Sequence, residues 1–163
     1  MNGTVDVIAV VVTHNRKKLL LRCLRAIFFQ TSKVTKVIVI VNASSDGSKD
    51  FIFATNELSE EERQKILWFT LEKNLGGAGG FSLGVEKAFA LNSDFLWLMD
   101  DDGYPSENCL SELLRFASDF SFISPVVLSD KDKNSLSFPL RLRGSLKILE
   151  NLADVRGLES NII

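Results

Sequence analysis

Two runs of apolar, mostly β-branched residues near the N-terminus constrain the fold more than any other feature of the chain. They are VDVIAVVV, residues 5–12, and VTKVIVIV, residues 34–41. Runs that are apolar at nearly every position are typical of parallel strands covered on both faces. The segment between them has apolar residues at helical spacing, which predicts a helix with one buried face. These residues are Leu20, Cys23, Leu24, Ile27 and Phe28.

The alternation of strands and helices continues along the chain. ILWFTL (66–71) and FLWLM (95–99) predict a third and a fourth strand, with a glycine-opened helix between them. A further helix is predicted to begin at Pro105, and FISPVVL (122–128) predicts a fifth strand at an edge or a bulge because it contains proline. The order predicts an α/β fold, an open and mainly parallel sheet with helices on both faces and right-handed crossovers.

Length and composition limit the domain organisation and the class of partner. The chain has 163 residues and is 45% hydrophobic, enough for one core domain over residues 1–128, with 129–163 as a C-terminal extension. A net charge of -2 argues against binding to the nucleic-acid backbone. The start of the chain does not resemble a signal peptide, and no apolar run approaches the ~18 residues of a membrane span. We expect a cytoplasmic protein that has at most peripheral contact with the inner face of the plasma membrane.

Polar segments follow three of the predicted strands. They are THNR after the first strand, NASSDG after the second and DDDG after the fourth. In open parallel sheets the ligand crevice lies beyond the carboxyl ends of the strands. The sequence therefore predicts one functional site built from these three segments at a single edge of the sheet.

The DDDG segment places three carboxylates side by side. Along an extended chain Asp100 and Asp102 share one side, whereas Asp101 turns away. Two carboxylates close together either raise a pKa or bind a cation, and Mg²⁺ sites often combine one or two carboxylates with substrate phosphates. The alternative is a solvated acidic turn, since Asp-Gly is a common turn dipeptide.

The NLGGAGGF segment, residues 74–81, allows two interpretations. Glycines at a helix start let backbone N–H groups approach an anion such as a phosphate. Alternatively, Gly77, Gly84 and Ala88 form one stripe that lets the helix lie close to the sheet. The segment is neither a P-loop nor a dinucleotide-binding fingerprint.

Single polar residues in the strand-end loops also have two interpretations each. His14, the only histidine, follows the first strand and could stack on a base or be structural. Arg16 could pair with a phosphate or be a surface charge at a helix start. Asn42 could cap its own turn or hydrogen-bond a ribose or base.

Four quoted segments together resemble a known family. VVVTHNRKKLLLRCLRAIFFQT, VIVIVNASSDGS, EKNLGGAGGF and FLWLMDDDGYP are similar to the nucleotide-sugar half of family-2 glycosyltransferases with the GT-A fold. The pairing of NLGGAGGF with WLMDDDG resembles the galactofuranosyl- and rhamnosyltransferases that build bacterial cell-surface glycans. The resemblance covers about residues 5 to 128.

The resemblance implies a role for each segment. The loop after the first strand, with Thr13, His14 and Arg16, would hold the nucleobase, and Asn74, Gly76 and Gly77 would lie along the donor. Asp100 and Asp102 would hold Mn²⁺ or Mg²⁺ on the diphosphate, and Asp101 would help with the ribose. The implied reaction is a metal-dependent, inverting transfer from UDP-galactofuranose or dTDP-rhamnose to a glycan or lipid-linked glycan acceptor.

The sequence departs from the family in two places. Val41 stands where relatives usually carry a base-binding Asp. The family also has a general base and a late histidine well downstream of the acidic triplet, whereas His14 is the only histidine in this sequence. The base is therefore expected beyond Ile163, and the chain is either a part of a longer enzyme or a donor-binding remnant without catalysis. A sugar-nucleotidyltransferase is a further alternative, disfavoured because THNRKK contains no glycine. The sequence does not indicate an oligomeric state.

Overall fold

The structure, a computed structural model, describes residues 5–141 and 148–156. The chain divides into two compact units, Met1–Arg115 and Phe116–Ile163. The predicted domain boundary after residue 128 therefore lies inside the second unit. Across the described ranges, no helix is both long enough and apolar enough to cross a membrane.

The first unit alternates strands and helices. Its strands are β1 (Val7–Thr13), β2 (Lys36–Asn42), β3 (Ile66–Leu71) and β4 (Phe95–Asp100). Its helices are α1 (Lys17–Phe28), α2 (Ser48–Ala54), α3 (Glu60–Gln64), α4 (Gly76–Phe89) and α5 (Cys109–Leu114). The four strands predicted in this part of the chain are confirmed, with ends that shift by two residues or fewer.

The four strands form one parallel sheet in the order β3-β2-β1-β4. In the ladders Val12 pairs with Asp100, and Thr13 pairs with Val41. The segments that follow β1, β2 and β4 therefore leave the sheet at the same edge. The α/β fold class is confirmed, and so is the parallel direction of the sheet.

Strand β1 lies at the centre of the core. All seven of its residues are buried, and the six apolar ones alternate between two hydrophobic clusters. Val7, Ala9 and Val11 pack with the apolar face of α1, whereas the residues between them pack toward Ala88 of α4. Each fully buried Val or Ile contributes roughly 1.5–3 kcal/mol from removal of apolar surface from water. Both faces of the sheet are thus covered.

The close contact between α4 and the sheet depends on two glycines. A Cβ on Gly80 would lie 2.6 Å from Cγ1 of Val12, and one on Gly84 would overlap Cγ1 of Val10. The packing interpretation is therefore correct for Gly84, and Ala88 of the same stripe is fully buried, whereas Gly80 is a close contact that the stripe did not include. The predicted stripe was wrong about Gly77, because a Cβ there would have nothing within 4 Å.

The second unit contains an antiparallel pair, β5 (Ser135–Arg141) and β6 (Ile148–Asn151), followed by α6 (Leu152–Val155). The predicted fifth strand over 122–128 is wrong. Only Leu128 of that segment forms an isolated bridge, with Leu136, and Phe122 is 86% exposed. Pro125 has no backbone N–H to donate to a ladder, so an apolar pattern alone did not make a strand. Residues 142–147 and 157–163 of the predicted extension lie outside the described ranges.

Candidate functional site at the carboxyl edge of the sheet

A cleft of about 210 Å³ opens at the carboxyl edge of the sheet. It is lined by residues from four separate segments, which the sheet topology brings together. Nine of the ten lining residues are ones that the sequence singled out as substrate-binding candidates, and the tenth is Val12. The nine are Thr13, His14, Arg16, Asn42, Asn74, Gly76, Gly77, Asp100 and Asp101. Their convergence is observed, whereas their binding role remains a prediction.

The loop after β1 is tied to the loop after β2. Nδ1 of His14 lies 2.7 Å from the carbonyl oxygen of Asn42. A carbonyl can only accept, so Nδ1 carries the proton and donates it. Asn15 has a left-handed backbone with φ of 54° and exchanges bonds with the same loop: its N–H donates to Ser44 Oγ, and its Oδ1 accepts from the N–H of Ser45. The exposed histidine ring is therefore held at the rim.

Asp46 fixes the starts of two helices. Its carboxylate accepts from the N–H of Lys17 at 2.9 Å, at the first position of α1, and from the N–H of Ser48 at 3.1 Å, at the first position of α2. Burial is the largest influence on its pKa and would raise it, but the bonds from Ser48 and Lys17 together lower the pKa below its usual value. The N-cap residue of α1, Arg16, makes no side-chain capping bond, so Asp46 supplies that bond from another loop.

Asn42 positions the start of α4. Its Nδ2 donates to Asn74 Oδ1 at 2.9 Å and to the carbonyl of Gly76 at 3.0 Å, while its Oδ1 accepts from the N–H of Leu75 at 2.9 Å. Gly76 has φ of +68°, a left-handed conformation that favours glycine. Capping of its own turn, one of the two sequence interpretations of Asn42, is wrong, because the side chain crosses to α4. Both of its N–H groups are used within the protein.

The acidic triplet does not continue the strand. β4 ends at Asp100, and the N–H of Gly103 donates to the Asp100 carbonyl at 3.0 Å, which closes a turn. The expectation that Asp101 turns away from the site was therefore wrong. The Asp101 side chain is 3% exposed and accepts from Thr13 Oγ1 at 2.6 Å and from Arg16 Nη1 at 3.2 Å. Asp102 is instead on the solvent side and does not line the cleft.

Asp100 presents a carboxylate with no hydrogen-bond or ion-pair partner in the described part of the chain. Partial burial, followed by the charges of Asp102 and Asp101, raises the pKa of Asp100, and Arg16 opposes this. The pKa of Arg16 is raised in turn, chiefly by its hydrogen bond to Asp101. Asp100 is thus the acidic group in the cleft that most needs a cation.

The residues fit a hard divalent cation only in part. No group of three or more His, Cys, Asp or Glu side chains that could hold a metal occurs within residues 5–141 and 148–156. An unpartnered carboxylate at Asp100 and an exposed one at Asp102 are nevertheless the oxygen donors that Mg²⁺ and similar ions use together with water and phosphate. The donor set therefore suits an ion that receives its remaining ligands from a bound phosphate compound.

Sequence reasoning missed residues that hold the acidic segment against α1. Gln30 is fully buried; its Nε2 donates to the Ser106 carbonyl at 2.7 Å, and its Oε1 accepts from the N–H of Leu110 at 2.9 Å. Arg22 of α1 stacks on the ring of Tyr104, with 3.6 Å from the guanidinium carbon to the ring centre. One signal was available for Gln30: it continues the apolar face of α1, three positions after Ile27.

The fold that carries this cleft is the GT-A fold of glycosyltransferases. A mannosyltransferase from Pyrobaculum calidifontis, described in complex with GDP-Man and Mn²⁺, is similar with a TM-score of 0.61 at 20% sequence identity. The match covers 77% of this chain and 34% of the mannosyltransferase chain. TarS from S. aureus in complex with UDP-GlcNAc has a TM-score of 0.59 at 19% identity, covering 83% and 39% respectively. At identities near 20%, the structural similarity establishes a shared fold.

The sequence comparisons define the family. The model described as glycosyl transferase family 2 matches residues 8–157, and the chain belongs to this family. Galactofuranosyltransferase GlfT1 from Mycolicibacterium smegmatis is 40% identical over 144 residues, which covers 86% of this chain and 45% of that protein. GlfT1 from Mycobacterium tuberculosis is 38% identical over 141 residues, with 85% and 45% covered. The chain thus spans about half the length of these relatives.

Proposed function

We propose that this chain binds the donor of a galactofuranosyltransferase, a sugar linked to a nucleoside diphosphate, in the cleft at the carboxyl edge of the sheet. The observation that carries the proposal is the convergence of nine candidate residues from four segments on one cleft, in a chain that is 40% identical to a galactofuranosyltransferase. The same relatives favour UDP-galactofuranose over dTDP-rhamnose as the donor.

The donor would lie across the rim. The loop after β1 would face the base through His14, since the loop is fixed to its neighbour and the histidine ring is exposed. Thr13, the buried last residue of β1, would act through its bond to Asp101. Gly76 and Gly77 open the first turn of the 14-residue helix α4, and added Cβ atoms at both positions would meet nothing within 4 Å. A diphosphate could therefore approach the backbone N–H groups and the positive end of the helix dipole.

Asp100 and Asp102 would hold Mn²⁺ or Mg²⁺. A bound divalent cation would supply charge neutralisation for the departing diphosphate. Asp101 has a different role, because its bond to the buried hydroxyl of Thr13 fixes the acidic turn to the end of β1. The described Mn²⁺ complex of the structurally similar mannosyltransferase supports a cation in such a fold.

The reaction would be an inverting transfer to a cell-surface glycan. An acceptor hydroxyl, freed of its proton by a general base, would attack the anomeric carbon while the diphosphate leaves. We assign no base among the described residues, so the cleft accounts for the donor half of the reaction.

Calorimetric titration with UDP tests donor binding. We expect wild-type protein to bind UDP in the presence of Mn²⁺ and more weakly without it. Asp100→Asn and Asp102→Ala should each weaken metal-dependent binding by about tenfold or more, as loss of metal-site residues typically does. Glu86→Gln is the matched control, because it removes a carboxylate from the exposed surface of α4, where Glu86 pairs with Lys87. Equal affinity in wild type and both aspartate variants would refute the cation assignment.

A second candidate is donor binding without transfer by this chain, because it spans only 45% of the relatives' length. Release of UDP from UDP-galactofuranose, followed with and without a glycan acceptor, separates the two. Turnover would exclude the binding-only interpretation, whereas UDP binding without turnover would support it.

A further inference from the structure

Arg16 is paired with the acidic turn in the structure. Its Nη1 lies 3.2 Å from Asp101 Oδ1 and 3.2 Å from Asp102 Oδ2. The two partners differ in exposure, since the Asp101 side chain is 3% exposed and the Asp102 side chain 55%. An exposed ion pair contributes little to stability, so the bond to Asp102 costs little to break. The bond to buried Asp101 is the more durable one.

The remaining donors of Arg16 are available to a ligand. A guanidinium has five N–H groups, and Nη1 uses its two on the carboxylates. In the described part of the chain, Nε and Nη2 have no hydrogen-bond partner. Arg16 lines the cleft and its side chain is 52% exposed. A planar fork of this kind is well suited to bind phosphate oxygens through two parallel hydrogen bonds.

We propose that Arg16 is a resident counter-ion that exchanges partners when the donor binds. Without donor, its guanidinium holds Asp101 and Asp102. When a nucleoside diphosphate enters, the guanidinium turns to the phosphate oxygens and releases Asp102 to the divalent cation. The inference rests on the proposed function, because it concerns the ligands of that same cleft.

Competition of this kind has a thermodynamic consequence. Arg16 and the divalent cation compete for Asp102, and the nucleotide removes the competitor. The cation and the nucleotide must therefore increase each other's affinity by the same factor. Part of that factor comes from direct contact between metal and phosphate, and the part due to Arg16 disappears when the guanidinium is removed.

Mn²⁺ titrations followed by the electron paramagnetic resonance signal of free Mn²⁺ measure the effect. Arg16→Gln should bind Mn²⁺ alone about five- to tenfold more tightly than wild type, within the range typical of coupled sites. The increase in Mn²⁺ affinity caused by saturating UDP should shrink by a similar factor. Arg25→Gln is the matched control: it removes one positive charge from the same helix, where Arg25 pairs with Glu57. It should behave as wild type.

The outcomes separate this inference from the proposed function. If wild type binds Mn²⁺ and UDP together but Arg16→Gln binds Mn²⁺ alone no more tightly, Arg16 does not compete and the inference is overturned. If wild type binds no UDP with Mn²⁺, the proposed function fails first. Should Arg16→Gln not fold, the Nε–H resonance of Arg16 in wild type decides: it should move further with UDP and Mg²⁺ together than with Mg²⁺ alone, because the phosphate then binds this N–H group. A resonance that UDP and Mg²⁺ leave in place overturns the inference.

Discussion

Two glycines of α4, Gly84 in its middle and Gly77 in its first turn, should respond in opposite ways to replacement by alanine. In Gly84→Ala, the new Cβ would overlap Cγ1 of Val10 and would lie 3.4 Å from Cγ1 of Ile40, and both of these side chains are fully buried. Alanine gains about 1 kcal/mol of helix propensity over glycine. Overpacking of a core costs typically 1–3 kcal/mol, and we expect the upper end because neither neighbour can move into solvent. The net loss should be about 2 kcal/mol.

Gly77→Ala provides the comparison. The added Cβ has nothing within 4 Å, so the fold should keep its stability or gain up to about 1 kcal/mol. The methyl group would, however, stand in the cleft where we place the diphosphate. UDP affinity should therefore fall although the protein stays folded.

Thermal unfolding and UDP titration measure the two effects separately. For a chain of this length, 1 kcal/mol corresponds to roughly 2–4 °C in Tm, so Gly84→Ala should unfold about 4–8 °C below wild type. Gly77→Ala should unfold at the wild-type temperature or slightly above it. An unchanged or higher Tm for Gly84→Ala would refute the packing argument. Unchanged UDP affinity in Gly77→Ala would refute the placement of the diphosphate.

Three other substitutions test the ties around the cleft. Asp46→Asn keeps one acceptor oxygen but replaces the other with an NH₂ group, so one of the two helix starts loses its acceptor and the fold should lose about 1 kcal/mol at pH 7. The pKa of Asp46 is lower in the folded protein, so the stabilisation by its carboxylate is complete above the unfolded pKa of about 3.9 and is lost as pH falls through the folded pKa. The difference in free energy of unfolding between wild type and Asp46→Asn, measured in urea, should therefore narrow below about pH 4. A difference that stays constant with pH would contradict this. Asn42→Ala removes three hydrogen bonds and should destabilise the fold by about 1–3 kcal/mol while weakening UDP binding. A variant that is as stable as wild type in urea would show that these bonds do not stabilise the fold. Gln30→Leu leaves the N–H of Leu110 without its acceptor and should lower the free energy of unfolding by about 1–3 kcal/mol in the same assay. A smaller decrease would indicate that water takes the place of the amide oxygen.

The sheet could be predicted because its signal is local. Runs such as residues 34–41 are apolar at nearly every position, and only a strand with both faces covered buries them all. The shared edge of three polar loops then followed from the parallel direction of the strands. The convergence of His14, Asn42 and Asp100 on one cleft was therefore within reach of the sequence.

One error is local, and the other features that the sequence did not indicate depend on partners distant along the chain. The alternation expected for Asp101 failed because the strand ends at Asp100, where a turn closed by Gly103 begins. The strand over 122–128 failed because a strand needs a neighbour, and a local pattern does not show whether one is present. The bonds of Asn42 to α4 join residues more than 30 positions apart, so no spacing rule indicates them.

The amide of Asn42 has a consequence for changing the specificity of such a protein. Because one side chain joins two loops, any replacement there disturbs both, and altered selectivity cannot be separated from damage to the scaffold. Gly77 has no such double role, because an added Cβ there would meet nothing within 4 Å, whereas His14 also joins two loops through its Nδ1. A library that tests donor selectivity at the proposed site should therefore vary Gly77 and keep Asn42 and His14.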